Sequence, residues 1–289
     1  MRCRKRAVTA STSCGGSAHH AAVPFTADLD HVAVAVERWR DGWPRFREQL
    51  GGQWDGGGST IGFAPHQLTY ATGMNVELLR PHAVEQNDFL RRFIDRNGVG
   101  PHHLTFKVDD IRAAVAEATA AGHPPVGVNY EYPSWMEAFL HPKGAHGIVV
   151  QLAQSEPSEH DEPDPPRSLP PAGPPADLLR VVHLVADLDD AQALFAGLLD
   201  GVERTPIAPL PGPGIELAWP SGGVLALVRP ESGTDDAAWL GDLPGRVDHV
   251  AFAVEDPADL ADAVDRGDGT WELPPDADTG TRLVLHRRT

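Results

Sequence analysis

Cysteine is nearly absent from this chain of 289 residues, and its two copies, Cys3 and Cys14, both lie near the start of the sequence. A disulfide framework and a cysteine-rich metal site are therefore excluded. Basic residues are also scarce, since 24 lysines and arginines stand against 41 aspartates and glutamates, a formal net charge of -17. Such a surface repels phosphate backbones and anionic lipid headgroups. We expect a small-molecule substrate, possibly anionic, and neither nucleic acid nor a membrane as the main partner.

Long apolar runs are missing as well, because no stretch reaches the length that a membrane span needs. The basic start, residues 1–6, is not followed by the apolar core of a signal peptide. We therefore expect a cytoplasmic protein. Residues 1–26 are rich in Ser, Thr, Gly and Ala, and we interpret them as a disordered tail.

A cluster of prolines among acidic residues occupies positions 155–176. Prolines at this density continue neither a helix nor a central strand, so the segment is predicted to be a semi-rigid linker. It divides the chain into two domains, 27–154 and 177–289, each long enough to bury a core of its own.

A short phrase with a histidine at the head of an apolar, β-rich run occurs four times, at His31, His103, His183 and His249. After each phrase the sequence repeats one order of elements, a helical stripe followed by several strands, of which the last is apolar. The helical stripes are 37–50, 111–122, 191–198 and, more weakly, 260–264, and the closing strands are 76–81, 148–152, 224–230 and 283–285. The chain is thus predicted to contain four modules. Whether they pair within one chain or in a homodimer stays open.

These segments resemble the vicinal oxygen chelate superfamily, which includes glyoxalases, extradiol dioxygenases and bleomycin-resistance proteins. Residues 27–154 are most similar to methylmalonyl-CoA epimerase, whereas 177–289 keep only the superfamily pattern. The resemblance implies an α+β fold in which four βαβββ modules form two glyoxalase-like domains. The motifs that carry it are LDHVAVAV at 29–36, VELLRP at 76–81, GPHHL at 100–104 and FLHPK at 139–143.

The resemblance also implies one divalent metal ion, held by a residue from the first and the last strand of each module. Carried over position by position, the ligands are His31, Glu77, His103 and Gln151. Two imidazoles, one carboxylate and one amide oxygen suit Fe, Mn, Co, Ni or Zn rather than ions that prefer thiolates. With a single carboxylate the ion keeps a residual positive charge, which can stabilise an enolate or another developing oxyanion.

A structural role is the competing interpretation, because a lone histidine in an apolar strand is more often a packed core residue than a ligand. Glu77 argues against it, since an ionised carboxylate on a buried strand is costly unless it is paired or coordinates a cation. Of the two adjacent histidines, His103 matches the repeat. Strand alternation then predicts that His102 faces the opposite side of the sheet.

The second domain is predicted to bind no metal. Its corresponding positions are His183, Ala226, His249 and Val284, so that both oxygen ligands are missing. We expect it to serve as a packing partner, as a wall of the substrate pocket or as a dimer surface. His286, two residues after Val284 on the same strand face, is the residue that could restore a site there.

The epimerases use a glutamate as a base near the strand before the first carboxylate ligand, and residues 61–68 contain no glutamate. The candidates for proton transfer are therefore Glu137, His66 and Tyr70, with a structural role as the alternative for the last two. The bulky Trp135 replaces a glycine-rich segment of that family and argues against a coenzyme A thioester.

Three hypotheses remain. The first is a metal-dependent isomerase, epimerase or lyase that stabilises the enolate of a small carbonyl or thioester substrate. The second is an Fe(II)-dependent dioxygenase of the extradiol type, because His31, His103 and Glu77 have the two-histidine, one-carboxylate composition. In those relatives the metal usually lies in the second half. The third is a non-catalytic binding protein of the resistance type.

Overall fold

A computed structural model describes residues 24–156 and 164–288. The predicted disordered tail lies outside the described residues except for its last three positions, of which Phe25 is buried. Two mixed sheets of eight strands account for most of the fold. This confirms the α+β class predicted from the repeated modules.

The first sheet has the strand order β2-β3-β4-β1-β5-β8-β7-β6. Its central strands β1 and β5 are antiparallel to each other, and each pairs in parallel with the closing strand of its module, β4 or β8. The strands are β1 (Ala27–Ala35), β2 (Gln53–Gly57), β3 (Gly62–Thr69), β4 (Asn75–His82), β5 (Gly100–Val108), β6 (Val126–Asn129), β7 (Met136–Leu140) and β8 (Val149–Gln154).

The second sheet repeats this topology with the order β10-β11-β12-β9-β13-β16-β15-β14. All four predicted closing strands are confirmed as β4, β8, β12 and β16. The strands are β9 (Asp177–Val185), β10 (Val202–Arg204), β11 (Gly214–Ala218), β12 (Val224–Val228), β13 (Gly245–Val254), β14 (Val264–Asp265), β15 (Trp271–Leu273) and β16 (Leu283–Arg287).

Helices follow the first strand in three of the four modules, as the apolar stripes predict. In the first and third modules an α-helical turn continues as a π-helical segment. The helices are α1 (Trp39–Trp43, then Pro44–Gln49), α2 (Phe89–Asn97), α3 (Ile111–Ala120), α4 (Leu188–Gln192, then Ala193–Leu198) and α5 (Asp235–Leu240). None of the helices in the described part of the chain is long and apolar enough to cross a membrane.

The fourth predicted helix, around 260–264, is wrong. The chain forms only a short 3₁₀ turn at Pro257–Asp259, and Val264 begins strand β14. Leu260 is extended, and Asp262 has the left-handed φ of 67°. A helix cannot continue through either backbone conformation.

One apolar cluster runs through both halves of the chain. Phe106 of the first sheet packs with its ring centroid 5.3 Å from that of Trp219 and 6.2 Å from that of Phe195 in the second half. The end of the proline-rich segment also packs on the first half, where Ala176 is buried and its backbone N–H donates to Leu50 O. The two sheets therefore share a core.

Candidate metal centre

A β-bulge decides which histidines of β5 face the candidate site. In the pairing of β1 with β5, Ala33 lies opposite His103 and Val34 lies opposite Pro101, so that His102 is an extra residue. A bulge interrupts the alternation of faces, because two residues of one strand oppose one residue of the other. His102 and His103 share one face, with their Nδ1 atoms 2.8 Å apart. The prediction that His102 faces the opposite side is wrong.

A second bulge, in β1, places the carboxylate of Asp30 beside His31. Leu29 pairs with Phe106 and His31 pairs with Thr105, which leaves Asp30 as the extra residue. His31 Nδ1 donates a hydrogen bond to Asp30 Oδ2 at 2.6 Å. A proton fixed on Nδ1 leaves Nε2 as the atom that can ligate a metal ion.

Three side chains converge on one point of this face. His31 Nε2 lies 3.6 Å and His103 Nε2 lies 3.9 Å from Glu77 Oε2. Their ligand atoms all lie within 4.8 Å of one another, and across residues 24–156 and 164–288 they are the only group of three or more His, Cys, Asp or Glu residues that could hold a metal ion. The structure thus brings together three of the four predicted ligands.

The atoms at this point fit a divalent ion. His31 Nε2 and His103 Nε2 are buried, and within 24–156 and 164–288 neither atom has a hydrogen-bond partner. Leaving a buried polar atom unsatisfied costs about 1–3 kcal/mol. An ion coordinated between them would satisfy both nitrogens and balance Glu77, and two imidazoles with a carboxylate suit Fe, Mn, Co, Ni or Zn.

The histidines on this face differ in protonation. Burial favours the neutral form of His31, but Glu77 and Asp30 outweigh burial and raise the pKa of His31 to about 9. Burial lowers the pKa of His103 well below its usual range, and it lowers the pKa of His102 to about 4. At neutral pH the imidazolium of His31 therefore offsets the charge of Glu77, and a dication would displace that proton.

The predicted fourth ligand, Gln151, is held at both ends of its amide. Its Oε1 accepts a hydrogen bond from Thr105 Oγ1 at 2.6 Å, and its Nε2 donates to Glu137 Oε2 at 2.7 Å. The indole Nε1 of Trp135 donates to the same carboxylate oxygen at 3.0 Å. The sequence candidate Glu137 is thus one hydrogen bond away from Gln151, whose role as a ligand stays a prediction.

His66 and Gln67 face opposite sides of β3. Gln67 lies opposite Glu77 and donates from Nε2 to Glu77 Oε1 at 3.4 Å, so that it borders the candidate site. His66 is fully buried on the other face, where burial lowers its pKa to about 4. Its ring lies within 4.6–5.9 Å of the rings of Trp39, Trp43 and Trp54.

Tyr70 also lies away from the three ligands. Its hydroxyl donates to the backbone O of Phe46 at 3.0 Å, and its ring packs 5.1 Å from that of Phe252 in the second half. Burial raises the pKa of Tyr70 well above its usual range. Proton transfer by His66 or Tyr70 is a prediction that this geometry does not support.

Two features of the site escape the sequence interpretation. Asp30 precedes His31 as Asp248 precedes His249, and this repeated pair is the signal that an orienting carboxylate accompanies the histidine. Helix α2 covers one end of the same face through a small apolar cluster. The helical spacing of its large apolar side chains is the sequence signal that could have predicted this cover. The α2 members are Leu90 and Ile94, with Phe89 and Phe93 partly buried against the cluster.

The register of the second sheet changes the expected correspondence between the halves. Val182 lies opposite both His249 and Ala226, as Ala33 lies opposite both His103 and Glu77. Val182 therefore corresponds to Ala33. His31 lies two residues before Ala33, and Arg180 lies two residues before Val182, so Arg180 is the counterpart of His31. The expectation that His183 corresponds to His31 is wrong, because the repeated phrase is shifted by three residues against the strand pairing.

In the second sheet an ion pair joins the counterpart of His31, which is Arg180, to the counterpart of Gln67, which is Glu216. Arg180 is 2% exposed and Glu216, its partner at 2.7 Å, is fully buried. Arg180 also donates to the backbone oxygens of Ala208 and Pro209. His249 donates from Nδ1 to Asp248, which is bound in turn by the guanidinium of Arg282. In the described part of the chain, His286 is not a member of any cluster of carboxylates and histidines that could hold a metal ion.

A cavity of about 390 Å³ lies elsewhere, at the junction of the two halves. His146 lines it with a buried Nε2, 3.7 Å from Asp190 Oδ2, and its backbone O accepts a hydrogen bond from His183 Nε2. None of the predicted site residues lines this cavity.

The chain is similar to known proteins in part of its sequence and in its fold. Residues 30–139 match the family described as the Glyoxalase/Bleomycin resistance protein/Dioxygenase superfamily. A mutant of 4-hydroxymandelate synthase from Streptomyces coelicolor has a similar structure with a TM-score of 0.57 and 16% identity, and the match covers 91% of this chain and 94% of that one. Methylmalonyl-CoA epimerase from Mycobacterium tuberculosis has a TM-score of 0.41 and 22% identity over 45% of this chain and 89% of that one. No curated protein matches the sequence.

The family match agrees with the superfamily resemblance over residues 30–139, and the whole-chain likeness shows the fold of two glyoxalase-like domains. Neither one identifies the reaction.

Proposed function

We propose that this chain is a metal-dependent enzyme that removes a proton next to a carbonyl group, as an isomerase, epimerase or lyase on a small carbonyl or thioester substrate. The observation that carries the proposal is the convergence of His31, Glu77 and His103. A further carboxylate, Glu137, accepts a hydrogen bond from Gln151 on the same sheet. Such an enzyme needs a positive centre for the developing oxyanion and a base for the proton.

A divalent ion bound by these three residues would act as a Lewis acid toward the substrate oxygen. Glu137 supplies the base. Two donors fix its Oε2, and among the described residues no hydrogen bond reaches Oε1. We assign Oε1 to accept the proton from the carbon next to the carbonyl and, in an isomerisation, to return it to the substrate.

The experiment is exchange of substrate protons with heavy water, measured by NMR on the metal-loaded protein with a panel of 2-oxo acids and thioesters. We expect deuterium at the carbon next to the carbonyl of at least one substrate. Glu137→Gln should keep the metal and lose most of this exchange, by about 10²–10⁴-fold. The absence of exchange across the panel, or tight binding without turnover, contradicts the proposal.

A second candidate function is an Fe(II)-dependent dioxygenase. It is favoured by the two hydrogen bonds that hold the Gln151 amide, because an amide engaged in this way leaves His31, His103 and Glu77 as a two-histidine, one-carboxylate set. Oxygen consumption by the iron-loaded protein with catechols would support it. Deuterium exchange without oxygen consumption would contradict it.

A further inference from the structure

We propose that Lys107 and Ser155 form a carboxylate subsite beside the metal centre, so that the substrate is an acid whose carboxylate lies away from its reacting carbonyl. This inference rests on the proposed function, because it names the substrate class of the same site. The juxtaposition that carries it is an ammonium group that has no ion-pair partner among the described residues, on the strand face that holds His103.

Strand alternation places Lys107 on the face of the metal centre. Residues His103, Thr105 and Lys107 follow one another at every second position of β5, and the side chain of Thr105 bonds Gln151 on this face. Four residues of strand span about 13 Å between Cα atoms. Lys107 therefore lies farther along the same face, on the side away from α2, which covers the Ala33 end.

Direct contacts connect the ammonium group with the predicted ligands. Lys107 Nζ lies 3.7 Å from the ring centroid of Trp135 and donates to Ser155 Oγ at 3.0 Å. The indole of Trp135 donates to Glu137, and Glu137 in turn holds Gln151. The ammonium group and the proposed base thus border one continuous polar strip of the site.

The charge of Lys107 is not balanced by a direct ion pair. In the described ranges no carboxylate oxygen lies within 4.0 Å of its Nζ, while His31 and several arginines have such partners. Burial lowers the pKa of Lys107, against the opposing influence of Asp30 and Glu77. A partly buried cation without an ion pair is costly, and an anionic ligand removes that cost.

The donors suit a carboxylate better than a phosphate. An ammonium has three N–H donors, of which one is used by Ser155 and one side is covered by Trp135. One N–H and the hydroxyl of Ser155 remain for the two oxygens of a carboxylate. A phosphate is usually held by several backbone or arginine donors, whereas the contacts of Lys107 Nζ with the described residues are the hydroxyl of Ser155 and the ring of Trp135.

The experiment measures binding by calorimetry, with the metal-loaded and the metal-free protein. The probes are three dicarboxylates (oxaloacetate, 2-oxoglutarate and 2-oxoadipate) and, for each, the 2-oxo monocarboxylate of the same carbon number. We expect at least one dicarboxylate to bind about tenfold more tightly than its partner, as one charge-assisted hydrogen bond allows.

Variants decide whether Lys107 causes the preference. The chain has three lysines, Lys5, Lys107 and Lys143, so that Lys143→Gln removes the same charge at a turn away from this face and serves as the control. Lys107→Gln should abolish the preference, Lys107→Arg should retain most of it, and Lys143→Gln should leave it unchanged.

The subsite is refuted if no dicarboxylate is preferred, or if Lys107→Gln keeps the preference. Metal content separates this failure from that of the proposed function. If the protein binds metal and exchanges substrate protons while Lys107→Gln binds the probes like the unchanged protein, only the subsite is wrong. If the protein binds no metal, the proposed function fails, and the metal-free titrations still decide the role of Lys107.

Discussion

Replacing Arg180 by methionine should destabilise the protein strongly, because its partner Glu216 is fully buried. Removing one member of a buried pair costs about 3–5 kcal/mol, since a charge is left without compensation. In the variant, Arg204 still lies 3.3 Å from Glu216, and the backbone N–H of Ile207 still donates to the Glu216 carboxylate. These two partners favour the lower end of this range of destabilisation. The loss of the bonds to Ala208 and Pro209 acts in the other direction, so that we expect about 4 kcal/mol.

The double variant Arg180→Met/Glu216→Leu separates the charge from the packing. It removes both charges together and keeps similar volume, and such replacements of buried pairs are often neutral or stabilising. We expect it to recover most of the stability lost in Arg180→Met. Arg92→Ala serves as the surface control, because its ion pair with Asp88 is exposed and is worth only a few tenths of a kcal/mol.

The assay is urea unfolding followed by tryptophan fluorescence, with the free energy of unfolding taken from the midpoint and slope. Equal losses in the single and the double variant would refute the reasoning, because the penalty would then come from packing rather than from an unpaired Glu216. A loss in Arg180→Met no larger than that in Arg92→Ala would refute it as well.

Three further predictions concern the metal centre and pH. Glu77→Ala should abolish metal binding and His249→Ala should retain it, as measured by metal analysis of the purified variants; the reverse result would overturn the site. Asp30→Asn should weaken metal affinity about 10–100-fold in a chelator competition, because the orienting bond to His31 Nδ1 is impaired; unchanged affinity would contradict this. His66 and His183 are fully buried with pKa values of about 4, below the ordinary 6.5, so their neutral forms are favoured in the fold. The stability that each neutral histidine contributes is therefore present above pH 6.5 and is lost as the pH falls toward 4. Each histidine should lower the free energy of unfolding by about 2–3 kcal/mol by pH 4.5. If His66→Phe lost as much stability between pH 7 and pH 4.5 as the unchanged protein, this reasoning would fail for His66.

The fold was predictable because its signals are local. Apolar runs identify the strands at the head and end of each module, and the proline-rich segment separates the two sheets along the chain. The weak stripe at 260–264 failed because a left-handed Asp262 interrupts it, and sequence spacing alone does not reveal that backbone conformation.

The site was predictable in composition but not in register. The motifs singled out His31, Glu77 and His103, whose side chains lie together in the structure. Alternation failed for His102, because a bulge adds one residue to β5, and the resemblance of short phrases failed for His183, because the pairing of β9 with β13 is shifted against it. Both errors arise from a period of two, in which a displacement by an odd number of residues, one for His102 and three for His183, exchanges the faces.

The apolar cluster shared by the two sheets couples the local unfolding of one half to that of the other. Because Phe106 packs against Phe195 and Trp219, unfolding of the second half uncovers apolar surface of the first. Where this loss of packing opens the first half as well, a ligand that binds only the native first half adds its binding free energy to that opening. Amide hydrogens of β9 and β13 should then exchange more slowly when metal is bound to the other sheet. In this way the second half would report on metal binding at the candidate site of the first.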